Sequence, residues 1–189
     1  IKWQYRVPDA NGVVQTPMVI NMTDDNNDGK IDQNDIPDVV FVDNNYTLNV
    51  LSGDKGTLIA RTDASQKGEN YRIYYNRHNE VGVADIDNDG IVDVMVGGIG
   101  TSLDKNKLYI MNLVKNEDSY QWVQKASVDQ PAGTSFIQGG CCCAFTGCYW
   151  SDYHPTIANL DGSEYPSVIT TQGILDGKTV KEYVDKGQS

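Results

Sequence analysis

The chain alternates between short apolar runs, rich in β-branched residues, and polar segments rich in Asn, Asp and Gly. Each apolar run is only a few residues long, which suits a strand better than a helix. Clear examples are residues 39–42, 81–84 and 94–98. The pattern therefore predicts an all-β protein built from short strands.

Further strands are predicted on both sides of the polar segments. Residues 1–6 alternate in hydrophobicity and predict a strand, and residues 13–22 predict an extended run interrupted at Pro17. Residues 48–60 predict a strand, a tight turn and a second strand. Residues 107–113 and 120–123 predict the same arrangement around a polar loop, so these pairs would be the outer strands of repeated units.

The most informative polar segment is residues 85–93, here called the second loop, where carboxylates stand at nearly every second position. Calcium binds about six to eight oxygens, and a loop offering alternate side chains and one backbone carbonyl can wrap around it. The predicted ligands are the carboxylates of Asp85, Asp87, Asp89 and Asp93 and the carbonyl of Ile91. Gly90 stands where such a loop needs a backbone angle that a side chain would penalise. The alternative is an acidic surface loop without an ion, in which these carboxylates would repel one another.

Residues 24–38, the first loop, contain another and longer match to a calcium-binding segment. The side chains of Asp24, Asn26 and Asp28, the carbonyl of Lys30, and the side chains of Asp32 and Asp35 follow in the expected order. Asp35 takes the last position, where Glu is usual, so its shorter arm would bind through one oxygen and make magnesium a better competitor. Residues 36–42 predict a strand entered through proline, so the loop joins two strands and not the two helices of an EF-hand.

The acidic segments are copies of one unit, because Asp38 and Asp93 begin the same strand pattern after each loop. A third copy places Ser167 at that position. We predict a single repeat domain over 1–189, with approximate repeats at 13–76, 77–130 and 150–189 and a Cys-rich connection at 131–149.

The loop of the third copy, residues 159–167, is here called the third loop. It has lost carboxylates and offers Asn159, Asp161 and Ser163. The sequence therefore predicts calcium in the first two loops, while the third could hold an ion or keep its turn without one.

Calcium loops placed between strands, such as 85–93 with its flanking runs, resemble those of FG-GAP and VCBS-type repeats. These repeats build the blades of integrin-like β-propellers. The resemblance covers most of the chain through its three motifs, and it implies about three antiparallel propeller-type blades in an open or partial β-propeller. Three blades are too few to close a ring. Either the chain is part of a longer propeller or its open sheet edges pair with something else.

The charge balance argues against some partners. The chain of 189 residues carries a formal net charge of −11, whereas nucleic-acid binding favours a basic surface. No apolar run approaches the length of a membrane helix, so no transmembrane segment is predicted. The sequence shows neither a signal peptide nor an initiator Met, and we therefore expect a mature or cut product.

Four cysteines lie close together, at Cys141, Cys142, Cys143 and Cys148. A bridge within the triplet would be strained, since neighbouring residues fit disulfide geometry poorly. Three arrangements stay open: a strained local bridge, one ordinary bridge to Cys148 with two thiols left over, or bonds to another chain. A zinc site with His154 would not match the usual ligand spacing. Disulfides agree best with the oxidising, extracellular setting that calcium loops and an acidic composition suggest.

Two sequons, at Asn21 and Asn45, could carry glycans. Asn45 lies in a polar turn between predicted strands, whereas Asn21 ends a strand beside the first loop. His78 and His154 each precede a repeat motif, where packing or hydrogen bonding explains them better than catalysis does.

No catalytic constellation is found in the sequence, because the carboxylates are arranged for a cation rather than as an acid–base pair. The resemblance implies an extracellular or cell-surface, calcium-stabilised structural or adhesion module, and we predict a non-enzymatic subunit of a surface structure or fibre. Its predicted partners are other copies of itself, joined at open sheet edges near the cysteines, or a surface protein or glycan. The alternative is the propeller domain of a secreted carbohydrate-binding protein or polysaccharide-active enzyme.

Overall fold

The computed structural model describes residues 2–8, 12–13, 15–44, 47–62, 80–99, 106–117, 119–129, 155–160, 162–170 and 173–178. Every regular element within these ranges is a β-strand. The described part of the chain accordingly contains no helix long and apolar enough to cross a membrane.

The strands form three antiparallel sheets in which each strand pairs with the next one along the chain. The first sheet contains β1 (Met18–Ile20), β2 (Asp38–Val42), β3 (Leu48–Leu51) and β4 (Leu58–Arg61). The second contains β5 (Gly82–Ala84), β6 (Asp93–Ile99), β7 (Asn106–Asn116) and β8 (Ser119–Asp129). The third contains β9 (Thr156–Ala158), β10 (Ser167–Thr170) and β11 (Gly173–Asp176). The prediction of an all-β protein is confirmed, whereas the arrangement of the sheets as propeller blades stays a proposal.

The three positions aligned in the sequence have equivalent places in the three sheets. Asp38 of β2 pairs with Ile20 of β1, and Asp93 of β6 pairs with Ala84 of β5. Ser167 of β10 pairs with Ala158 of β9. Each sheet therefore begins with a hairpin of the same register, closed by one of the three loops.

The second sheet lies between the other two and is buried on both faces. Val94 and Val96 of β6 belong to a core shared with the first sheet, whereas Met95 belongs to a core shared with the third. The first core also contains Met22, Val40, Val42, Leu48, Val50, Ala60, Val81, Tyr109, Met111 and Leu113. The second contains Ile86, Leu108, Ile110, Val128, Val168 and Leu175. Burial on both faces explains why β6 has a continuous apolar sequence rather than an alternating one.

The N-terminal segment lies against the first sheet. The indole Nε1 of Trp3 donates a hydrogen bond to the Gly53 carbonyl at 2.9 Å, and the Tyr5 ring meets the Phe41 ring edge-on with centroids 6.3 Å apart. A Cβ at Gly56 would lie 2.3 Å from the Trp3 ring. Residues 2–7 form no strand, so the strand predicted at 1–6 is wrong over its described part. Residues 2–7 therefore contact the first sheet through aromatic side chains, and their backbone does not pair with it as a strand.

Candidate metal sites

The three loops connect the first two strands of each sheet: β1 to β2, β5 to β6, and β9 to β10. Each loop therefore closes a hairpin whose register is set by apolar residues packed between the sheets. The predicted placement of the loops between strands is what the structure shows.

The second loop brings three carboxylates together. One oxygen of each of Asp85, Asp87 and Asp89 lies within 4.8 Å of the others, and no other such group of acidic, His or Cys side chains occurs among the described residues. Asp85 accepts hydrogen bonds from the Asp89 and Gly90 amides at 3.1 and 2.8 Å. Gly90 has a φ of +83°, which fits the predicted need for glycine there. The loop can therefore present convergent oxygen ligands, the kind that calcium and magnesium prefer.

Asp93 lies at the base of the second loop with 0% of its surface exposed. Its Oδ2 accepts the Ile86 amide hydrogen at 3.0 Å, and its Oδ1 accepts a hydrogen bond from Asn112 Nδ2 at 2.8 Å. Because Asn112 belongs to β7, this carboxylate ties the loop to the middle of the sheet.

The carboxylates of the second loop contact a cationic side chain from another strand, which the sequence analysis did not predict. The Nζ atom of Lys125, on β8, lies 2.8 Å from Asp87 Oδ1, 2.9 Å from Asp89 Oδ2 and 3.1 Å from Asp93 Oδ1. No local pattern could have indicated these contacts, since they join residues 32 to 38 positions apart.

The Lys125 ammonium and the Asp89 carboxylate each favour the charged form of the other. Burial opposes the charge of Lys125, but its hydrogen bonds to Asp87, Asp89 and Asp93 outweigh burial and raise its pKa. Burial likewise opposes the charge of Asp89, yet hydrogen bonds from Lys125 and the Ile91 amide lower the pKa of Asp89 overall. Lys125 and Asp89 are therefore held in their charged forms at neutral pH.

The first loop repeats the backbone of the second over its first turn. Asp24 accepts hydrogen bonds from the Asp28 and Gly29 amides at 3.1 and 2.9 Å, as Asp85 does from Asp89 and Gly90. Asp28 accepts the Lys30 amide hydrogen at 2.9 Å, and its counterpart Asp89 accepts that of Ile91 at 2.9 Å. The Asp24-to-Lys30 turn thus has the same backbone hydrogen bonds as the corresponding turn of the second loop.

The later predicted ligands of the first loop bond to its own backbone. Asp35 is buried and accepts hydrogen bonds from the Asp32 and Asp25 amides at 2.8 and 3.0 Å. The Asp32 amide bond is the main cause that lowers the pKa of Asp35. Asp32 in turn accepts the Asn34 amide hydrogen at 2.8 Å. Neither Asp32 nor Asp35 joins Asp24 and Asp28 in a close group of carboxylates.

Asp38 is the counterpart of Asp93 and is also 0% exposed. Its Oδ2 accepts hydrogen bonds from the Met22 amide at 3.1 Å and the Thr23 hydroxyl at 2.9 Å. Its Oδ1 is buried and has no hydrogen-bond partner among the described residues. Burial raises the pKa of Asp38 to about 6. Sequence alignment placed Asp38 correctly, but did not indicate that one of its oxygens would be buried without a donor.

The third loop holds its turn through amide groups. Asn159 Oδ1 accepts the Gly162 amide hydrogen at 2.7 Å, and its Nδ2 donates to the Ser163 carbonyl at 2.6 Å. The Ser163 hydroxyl donates to the Tyr165 carbonyl at 2.8 Å. Since an Asn side chain both accepts and donates, this turn closes without a concentration of negative charge. Asp161 lies outside the described residues.

Of the two sequons, only Asn21 is described. Its Nδ2, the atom to which a glycan would be attached, donates a hydrogen bond to the Asp32 carbonyl inside the first loop. Glycosylation of Asn21 would break this hydrogen bond, because the glycan would be attached to the donor atom. Asn45, the cysteines at 141–143 and 148, and both histidines lie outside the described residues, so the predictions made for them stay predictions.

Comparison with known proteins finds a shared fold but no family. No family model matches the chain, and no curated protein does. Among solved structures, the chain is similar to that of the V. cholerae biofilm matrix protein Bap1, with a TM-score of 0.58 and 22% sequence identity. The similarity covers 92% of this chain and 25% of that chain, so this chain spans about a quarter of the length of the other. The resemblance to FG-GAP and VCBS-type repeats stays an inference from the motifs.

Proposed function

We propose that this chain is an extracellular, calcium-stabilised structural or adhesion module, built from consecutive blades of a β-propeller. The observation that carries the proposal is the acidic hairpin that recurs at the same register in successive sheets, with Asp38 and Asp93 at equivalent buried positions. Divalent cations bound to such hairpins would fix the loop without taking part in a reaction. A matrix or surface protein uses this kind of rigidity.

The contacts between sheets support a propeller arrangement. The first strands contact one another, β1 with β5 and β5 with β9, and the last strands β4 and β8 also contact each other. Blades of a propeller are packed in this face-to-face way around a common axis. Further blades, from the same polypeptide or from another copy, would complete the ring in this proposal.

The fold similarity supports the proposed setting. The protein with the similar structure is a biofilm matrix protein, and the similarity extends over 92% of the present chain. An extracellular location would supply calcium at a concentration that saturates loops of moderate affinity. Copies of the chain itself, a surface protein or a glycan are the proposed partners.

Calcium-dependent stability is the direct test of the proposal. Thermal unfolding of the chain in excess calcium is expected at a higher midpoint than in EDTA, because an ion that binds only the folded state stabilises it by mass action. The variant with Asp24→Asn and Asp28→Asn should lose most of this difference, whereas Glu117→Gln, outside the loops, should retain it. Equal midpoints for the unmodified chain in calcium and EDTA would contradict the proposal.

The proposed location and role are tested on the producing cells. Antibody labelling without permeabilisation should detect the protein, and EDTA should release it from the cell-associated matrix. A signal found only after permeabilisation would argue for another function.

A further inference from the structure

A β-bulge lies at the same place in the first two sheets. In the second sheet the pairing of β7 with β8 shifts between Ile110 and Met111, which pair with Ala126 and Gln124, so that Lys125 is the extra residue. A bulge of this kind bends its strand and redirects a side chain. Here it is Lys125 whose side chain reaches the carboxylates of the second loop.

In the first sheet the pairing of β3 with β4 shifts between Val50 and Leu51, which pair with Ala60 and Leu58. The extra residue is Ile59. Because Leu51 pairs with the residue after Asp38, and Met111 with the residue after Asp93, the two bulges have the same register. Ile59 is therefore the counterpart of Lys125.

The two bulge residues have different surroundings. Lys125, whose side chain is 23% exposed, forms three ion pairs with the second loop. Ile59 packs against the core between the first and second sheets. The basic residue at the end of β4, Arg61, pairs with Asp43 at 2.8 Å. Among the described residues, no ion pair reaches Asp24, Asp28, Asp32, Asp35 or Asp38.

The buried carboxylates reflect this difference. Asp93 Oδ1 receives hydrogen bonds from Lys125 Nζ and Asn112 Nδ2. Asp38 Oδ1, its counterpart, has no hydrogen-bond partner among the described residues although it is buried. A buried carboxylate oxygen without a partner is costly. The first loop therefore lacks positive charge at the place where the second loop has an ammonium.

We propose that Lys125 is a tethered cation that takes the place of a divalent ion in the second loop, and that the first loop, whose carboxylates have no such cation, is the divalent-cation site. The inference rests on the proposed function in one respect, that these hairpins need positive charge. A calcium ion entering the second loop would have to displace an ammonium that already forms ion pairs with three carboxylates. Calcium entering the first loop would compensate charges that have no cation.

Isothermal titration with calcium tests the assignment. The unmodified chain should bind one tight equivalent, and Lys125→Met should bind two, because the second loop then has uncompensated carboxylates. In a background of Asp24→Asn with Asp28→Asn, which silences the first loop, Lys125→Met should raise calcium affinity about tenfold or more. Ile59→Met is the matched control, since it gives the same residue at the equivalent bulge and should bind one equivalent.

The outcomes separate this inference from the proposed function. If Lys125→Met gains no calcium affinity, or if the unmodified chain binds two equivalents equally well, the tethered-cation inference is overturned. If the unmodified chain binds no calcium but Lys125→Met gains one equivalent, Lys125 keeps its role, whereas the assignment of the first loop and the calcium-stabilised module are both refuted.

A measurement on the unmodified chain covers the case in which Lys125→Met does not fold. Amine acetylation followed by mass spectrometry should label Lys125 about tenfold more slowly than the exposed Lys115, because the Lys125 Nζ is held in three ion pairs and its side chain is only 23% exposed. Calcium at a concentration that saturates one site should leave this ratio unchanged. Equal labelling rates for the two lysines, or release of Lys125 by that calcium, would overturn the inference.

Discussion

In the first loop, Asp24 accepts the amide hydrogens of Asp28 and Gly29, and in the second loop Asp85 accepts those of Asp89 and Gly90. The two turns share their conformation, yet among the described residues it is only the second whose carboxylates form ion pairs with a lysine. An acidic motif thus specifies the shape of a turn and its demand for positive charge. It does not specify whether an ion or a side chain from another strand meets that demand.

The largest expected effect separates the two buried aspartates. In EDTA at neutral pH, Asp93→Asn should reduce the free energy of unfolding by about 3 kcal/mol, because it breaks a buried ion pair and leaves its partners unsatisfied. Asp38→Asn should change the free energy of unfolding by less than about 1 kcal/mol, since it removes a buried charge that has no cation. Urea unfolding of both variants measures the difference. Equal losses would show that the two carboxylates are in similar environments.

A smaller effect is expected at the two bulges. Lys125→Met should reduce the free energy of unfolding in EDTA by about 2 kcal/mol, because the second loop loses its positive charge. Saturating calcium should restore most of that loss. Ile59→Met should cost less than about 1.5 kcal/mol, as a volume-conserving apolar exchange, and calcium should not compensate it selectively. If calcium fails to restore Lys125→Met, the second loop cannot exchange ammonium for a metal.

The stability of the chain is also expected to depend on pH through Asp38. Because burial raises the folded-state pKa of Asp38 to about 6 from an ordinary value of 3.8, the protonated form favours folding. Its contribution is fully present below the ordinary value and is lost as pH rises through about 6. The difference in the free energy of unfolding in EDTA between the unmodified chain and Asp38→Asn should therefore change by about 3 kcal/mol over this interval.

The lowered pKa values of Asp35 and Asp89 act in the opposite direction. Their contributions are present above the ordinary pKa and are lost as the pH falls further, in both proteins. Parallel pH profiles for the unmodified chain and Asp38→Asn would show that Asp38 does not titrate in this range.

The smallest expected effect concerns the contact between loops. Asn27 and Asn88 both have a positive φ, of 60° and 56°, at equivalent positions. Asn88 Nδ2 donates to the Glu164 carbonyl of the third loop at 2.6 Å, whereas Asn27 has no such bond among the described residues. Substitution by Ala imposes the same backbone strain at both sites. Asn88→Ala should thus cost about 0.5 kcal/mol more than Asn27→Ala in thermal unfolding. Equal costs would show that this exposed bond contributes nothing.

The local parts of the structure could be predicted from the sequence. Short runs of β-branched residues determined where the strands lie, because such residues favour an extended backbone that packs on both faces. Asp, Asn and Gly at fixed spacing determined the turn of each acidic loop, since Asp24 and Asp85 bind amides only four and five residues away. Alignment of Asp38 with Asp93 predicted their equivalent register. These interactions are short in sequence and need no knowledge of the rest of the fold.

Tertiary structure alone decided that the second loop receives a basic side chain from another strand. Lys125 reaches the second loop because a bulge in β8 redirects its side chain. The pairing of β6 with β7 and of β7 with β8 sets the position of that bulge relative to the loop. Ile59 occupies the same bulge in the first sheet and packs into the core instead. Neither fact can be read from a motif, since each depends on strand pairing and on burial between two sheets. These ion pairs join residues that are far apart in the sequence. Only folding brings Lys125, on the fourth strand of the sheet, close to the carboxylates of the loop between the first and second strands.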